Sequence, residues 1–100
     1  MKTLSMQELL KQYKIDVEFI EEFLGNDPVE IQEAFYIRKE ILKNFDNLTW
    51  KELKEFLNTE KILEKYLNKI KQKYPILYEK IIEPQNELLK TKLIDIFITS

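Results

Sequence analysis

Cysteine and histidine are both missing from the 100 residues. Their absence removes disulfide frameworks, zinc-finger ligand sets, thiol nucleophiles and the commonest general base in one step. Glycine occurs once and proline three times, so a strand-rich fold lacks its turns. Arginine occurs once, as Arg38, beside fifteen lysines, which nearly withdraws the commonest specific reader of guanine. No window holds eighteen uncharged apolar residues, and Glu8 falls in the opening stretch where a signal peptide needs an unbroken apolar run. An intracellular, cytoplasmic setting is expected, with no membrane partner.

What is present fits one soluble domain. Hydrophobic residues make up 44% and charged residues 34%, with a net charge of −2. A chain of this length buries about two thirds of the surface it exposes when unfolded, enough for one core. Residues 1–100 are therefore read as a single all-α domain, a compact bundle of five to seven short helices.

Helix start signals recur along the chain. Ser5-Met6-Gln7-Glu8 and Thr49-Trp50-Lys51-Glu52 have the spacing of capping boxes. The first is followed by Leu9, Leu10 and Tyr13, and a break at Lys14-Ile15-Asp16 lets Asp16 cap a second helix burying Phe19, Ile20, Phe23 and Leu24. Gly25 suits a left-handed C-terminal position. Asp27-Pro28-Val29-Glu30 combines an N-cap acid, a proline at the first helical position and an acid in the first turn. The helix it opens, to about Phe45, carries Ile31, Ala34, Phe35, Arg38, Ile41 and Leu42 at helical spacing and is expected to be the longest and central one.

After Thr49 a short helix with Leu53, Phe56 and Leu57 is expected to end at Asn58-Thr59, and a further helix to run from about Glu60 toward Tyr74. Pro75 and Pro84 separate a short helix over 76–82 from another beginning at Gln85. Residues 88–98 are too apolar for one solvent-facing side. A docked helix with surface left for a second subunit, a homodimer contact, stands beside complete burial within the monomer; partial alternation at 94–98 also admits a short strand.

Leu4-Ser5-Met6-Gln7-Glu8-Leu9 aligns with Leu48-Thr49-Trp50-Lys51-Glu52-Leu53, and Phe19 to Leu24 with Ile62 to Leu67 after one deletion. Two helix-turn-helix-like units at a spacing of 43 to 44 residues are one reading, and chance alignment of amphipathic pairs is the other. The first unit has the spacing of DNA-binding helix-turn-helix motifs, but its would-be recognition helix, Asp16 to Glu22, holds four acids and no base. Phosphates would repel it.

Charge is polarised: residues 1–47 carry 10 acids against 6 bases, and residues 48–100 carry 8 against 10. Two charged faces are candidate partner-binding surfaces. One is acidic, with Glu18, Glu21, Glu22 and Glu30; the other is a lysine stripe, with Lys61, Lys65, Lys69 and Lys73, that is able to follow a phosphate backbone or an acidic protein. The lysine stripe is also readable as a solvated face balanced by Glu60 and Glu64. Arg38 is a candidate anchor for a partner carboxylate, or a long side chain laid over the core edge and paired within its own chain. Trp50, just inside a helix start, is either a core residue or a half-exposed hot spot, and its place opposite Met6 in the repeat favours core packing. No catalytic residue, metal site or cofactor is expected, since paired carboxylates alone supply neither a ligand set nor an acid-base couple. A non-enzymatic protein-protein interaction module is the expected function; a small nucleic-acid-binding regulator using the lysine stripe is the alternative.

Overall fold

The computed structural model describes residues 4–25 and 28–99, and within them the chain is all-α, without a strand. Helix α1 (Met6–Glu18) and helix α4 (Trp50–Glu64) each begin with the expected capping box, Ser5 with Glu8 and Thr49 with Glu52. In both, the hydroxyl accepts from the third backbone N–H and the glutamate accepts from the cap's own N–H. Helix α3 (Pro28–Lys43) opens on its proline as expected, while Asp27 lies outside the described residues.

The interior boundaries fall elsewhere than the sequence suggests. Helix α1 runs through Lys14-Ile15-Asp16 without a break, because Asp16 is buried and accepts from Gln12 Nε2 one turn back at 2.9 Å instead of capping a new helix. The chain bends at Phe19 (φ −99°, ψ 7°), whose ring lies 6.5 Å from that of Phe23, and α2 (Ile20–Leu24) follows. Gly25 closes α2 in right-handed geometry (φ −84°, ψ −8°), not the left-handed one.

Asn58-Thr59 likewise fails to end a helix, since the Thr59 hydroxyl donates back to the Glu55 carbonyl and α4 continues to Glu64. The bend comes at Lys65-Tyr66, before α5 (Leu67–Lys73). The capping boxes of the proposed repeat therefore correspond, but its second halves are out of phase: Phe19 sits at a bend, whereas its counterpart Ile62 lies inside α4.

Tyr74, held out of helical geometry by the proline after it (φ −130°, ψ 67°), separates α5 from the single turn α6 (Pro75–Leu77). From there the helix does not stop before Pro84. It widens into a π turn over Tyr78–Ile82, with Glu83 N–H reaching the Tyr78 carbonyl five residues back, and proceeds as α7 (Glu83–Thr99). Pro84 directly follows that turn, whose shift from four-residue to five-residue bonding accommodates the N–H that proline lacks. At 17 residues α7 exceeds the 16 of α3, so α3 is central but not longest.

Helix α1 packs between α3 and α4, and α3 also meets α2 and α7. One core joins Tyr13, Val17, Ile20, Ile31, Phe35, Ile41, Phe56, Leu63, Ile70 and Ile82, all nearly or fully buried. No helix of the described residues is long and apolar enough to cross a membrane.

Candidate partner-binding site

At the centre of the bundle Arg38 is 2% exposed, lined up on the inner side of α3 by its spacing from Ala34 and Leu42. Its Nε and Nη2 donate to the two carboxylate oxygens of Glu60 on α4, at 3.2 and 2.6 Å. The Tyr13 hydroxyl of α1 donates to Oε2 of the same carboxylate. Arg38 Nη1 faces Gln85 Oε1 on α7 at 3.5 Å, and Gln85 Nε2 donates to the Phe35 carbonyl at 2.9 Å. Burial, reinforced by the Glu60 charge and opposed by Arg38, holds the Tyr13 phenol well above its usual range, so it remains a protonated donor. The candidate anchor is thus filled from within the chain. Removing one member of such a buried pair costs about 3–5 kcal/mol, because the remaining charge is stranded.

Beside this network lies a cleft of about 550 Å³ between α4 and α7. Leu57 and Leu63 of α4 with Leu67 at the start of α5 line one wall and Leu89, Leu93, Ile94 and Phe97 the other, with Arg38, Glu60 and Asn86 among them and Lys61, Glu64 and Lys90 along the edge. Asn86 Oδ1 is buried and, among the described residues, has no hydrogen-bond partner. A buried acceptor left without a donor costs about 1–3 kcal/mol.

The apolar surface continues past the cleft. Phe97 and Ile98, at the tip of α7, are 78% and 74% exposed. Trp50 is 74% exposed at the first position of α4, so the core placement read from the repeat is incorrect. It lines a smaller recess with Leu48, Leu53 and Ile96. Residues 88–98 form a helix, with Leu89 buried, Leu93 and Ile96 half-buried, and Leu88, Ile94, Phe97 and Ile98 outward.

The lysine stripe is divided by the bend at Lys65-Tyr66. Lys61 edges the α4/α7 cleft, Lys65 caps α4, Lys69 lies over the Tyr66 ring, and Lys73 lies over Tyr74 beside a separate cleft with Pro28, Gln32 and Lys80. Lys71, over Tyr78, joins the α5 group although the four-residue spacing omits it. The acids Glu18, Glu21 and Glu22 are exposed around the Phe19 bend, and Glu30 is exposed in the first turn of α3. Glu30 and Glu33 act on Asp16, whose carboxyl is pushed above its usual range by burial first, with their charges adding and the Gln12 hydrogen bond opposing.

Glu60, Tyr13, Gln85 and Asn86 are not distinguishable in the sequence as site residues: Tyr13 and Gln85 stand 47 residues from their partners, and no local pattern marks them. Among the described residues no group of three or more acids, histidines or cysteines is arranged to hold a metal ion. Compared with known proteins, the chain matches no family model, no curated protein and no solved structure.

Proposed function

We propose that the chain is a small non-enzymatic protein-protein interaction module that takes an apolar helix face of its partner in the cleft between α4 and α7. The cleft itself carries the reading: seven apolar side chains from two walls and an edge of Lys61, Glu64 and Lys90. Contiguous apolar surface of this kind, rimmed by charge, characterises binding faces more than solvated ones, and helix-in-groove recognition needs this combination of apolar trough and polar rim.

A photo-crosslinking residue at Ile94, compared with one at Tyr36 on the outer side of α3, tests the reading in living cells. A discrete protein adduct is expected from position 94 alone, and its loss is expected when Leu67→Glu places a charge in the trough. Adducts from both positions alike, or from neither, would overturn it.

Nucleic-acid binding is the second reading, and it rests on α5 and the segment after it. Residues 65–82 carry five lysines and one acid, and Lys69, Lys71 and Lys73 each cover a tyrosine ring. Under that reading, anisotropy with duplex or single-stranded DNA falls steeply between about 50 and 200 mM salt and vanishes in a Lys69→Glu, Lys73→Glu variant.

A further inference from the structure

We infer that the helix accepted by the cleft is α7 of a second copy of this chain, in a two-fold pair centred on Leu93 and Ile94; the inference rests on the cleft being a protein-binding site. The same short stretch of α7 supplies both halves of a contact. Leu93, Ile94 and Phe97 line the trough, while Phe97 and Ile98 also stand far out of it. A patch that carries socket and plug together is satisfied by rotating a copy of itself, and the assembly then closes at two.

Charge selects this face over the others. Residues 16–33 hold seven acids and no base, and residues 65–82 have a net charge of +4, so either surface repels its own copy. The α4/α7 face is mixed: Lys61 and Lys90 stand with Glu64 along the cleft, Glu87 lies one turn before Lys90 on α7, and residues 93–98 contain one charge, Asp95. Two copies therefore approach there without a like-charge penalty.

Helical phase adds a specific pairing. At about 100° per residue, Phe97 and Lys90 lie on the same flank of α7. An antiparallel crossing at Leu93–Ile94 carries the Phe97 ring of each copy to the level of the other's Lys90, beside Leu89. There the ring enters the trough and meets an ammonium group over its face. Ile94, Phe97 and Ile98, within about 100° of one another around α7, together offer on the order of 400 Å² per copy for burial. With the trough lining added, the total approaches the lower edge of the range for specific pairs, about 600–800 Å² per partner. A reversible dimer is expected, not an obligate one.

Sedimentation of the full chain over roughly 1–300 µM, the range in which a contact of this size class dissociates, is expected to show a rise from 12.2 kDa toward twice that mass. Phe97→Asp is expected to keep the species monomeric throughout with unchanged circular dichroism, whereas Tyr36→Asp leaves the rise intact. Because the chain has no cysteine, Ile94→Cys introduces a single thiol near the two-fold axis, and oxidation is expected to yield a covalent dimer that Tyr36→Cys does not. A wild-type monomer at the top of the range, a dimer that survives Phe97→Asp, or a dimer that Ile94→Cys fails to link would each overturn the proposal. A chain that stays monomeric yet forms a foreign adduct from position 94 would remove the second copy and leave the cleft reading standing; no adduct at all would remove both.

Discussion

Asp16 lies on the side of α1 that faces α3, nearly buried, with one hydrogen bond from Gln12 and two acids of α3 acting on it. Its charged form is penalised by burial first and by Glu33 and Glu30 next. For an acid whose pKa is raised on folding, the protonated form favours the fold. That contribution is complete below the unfolded value, near 3.9, and is lost as pH rises through the folded one. At neutral pH the carboxylate is therefore a net cost. Asp16→Asn keeps the acceptor for Gln12 and removes the charge, and is expected to raise Tm at pH 7. The gain should shrink to nothing near pH 3 in thermal scans across that range; a gain independent of pH would show that charge is not the cause. From the sequence, the same residue reads as a cap, because a short acid ahead of an apolar helix has that signature. Only the fold reveals that Gln12 and the α3 acids, not a free helix end, surround it.

Helix ends governed by neighbours three residues away are legible. Ser5 and Thr49 cap as their spacing dictates, and Pro28 opens α3. Breaks inside amphipathic stretches are not, since a polar pair such as Asn58-Thr59 either ends a helix or turns a hydroxyl back on its own carbonyls, and packing of Leu53, Phe56 and Leu63 on one face decides for continuity. Pro84 follows the same logic, with the π turn over 78–82 absorbing what would otherwise be a break. Gly25 gives the clearest test at this scale. Its backbone is right-handed, and among the described residues an added Cβ would meet only the Glu22 carbonyl oxygen, at the ordinary contact distance of 3.5 Å. Gly25→Ala is expected to stabilise by about 0.4–1 kcal/mol through the unfolded chain's lost freedom, measured by urea unfolding. A loss of stability would restore the left-handed role that the sequence suggests.

For the molecule as a whole, composition was sufficient to indicate an all-α bundle, and the charge polarity is visible by counting. The cleft is not visible, because its walls come from residues 57–67 and 86–97, which meet only after the chain has folded back on itself. Likewise Arg38 stands out as a lone arginine, while the identity of its carboxylate depends on how α3 and α4 are set against each other.

That buried network has a consequence for the order in which the molecule comes apart. Tyr13, Arg38 and Glu60 bind α1, α3 and α4 into a unit whose charges are satisfied among themselves, whereas α7 joins through Gln85, the exposed Lys92–Asp46 ion pair and the buried Leu89. Opening α7 alone strands no buried ion, so it requires less free energy than global unfolding. Amide hydrogen exchange is therefore expected to be faster along residues 86–98 than in the middle of α1 or α4, with the last helix behaving as a separate cooperative unit. Should that helix also be the one shared between two copies, its exchange would slow as protein concentration rises while the three-helix unit keeps its rate, making the final helix the part of the fold whose permanence depends on company.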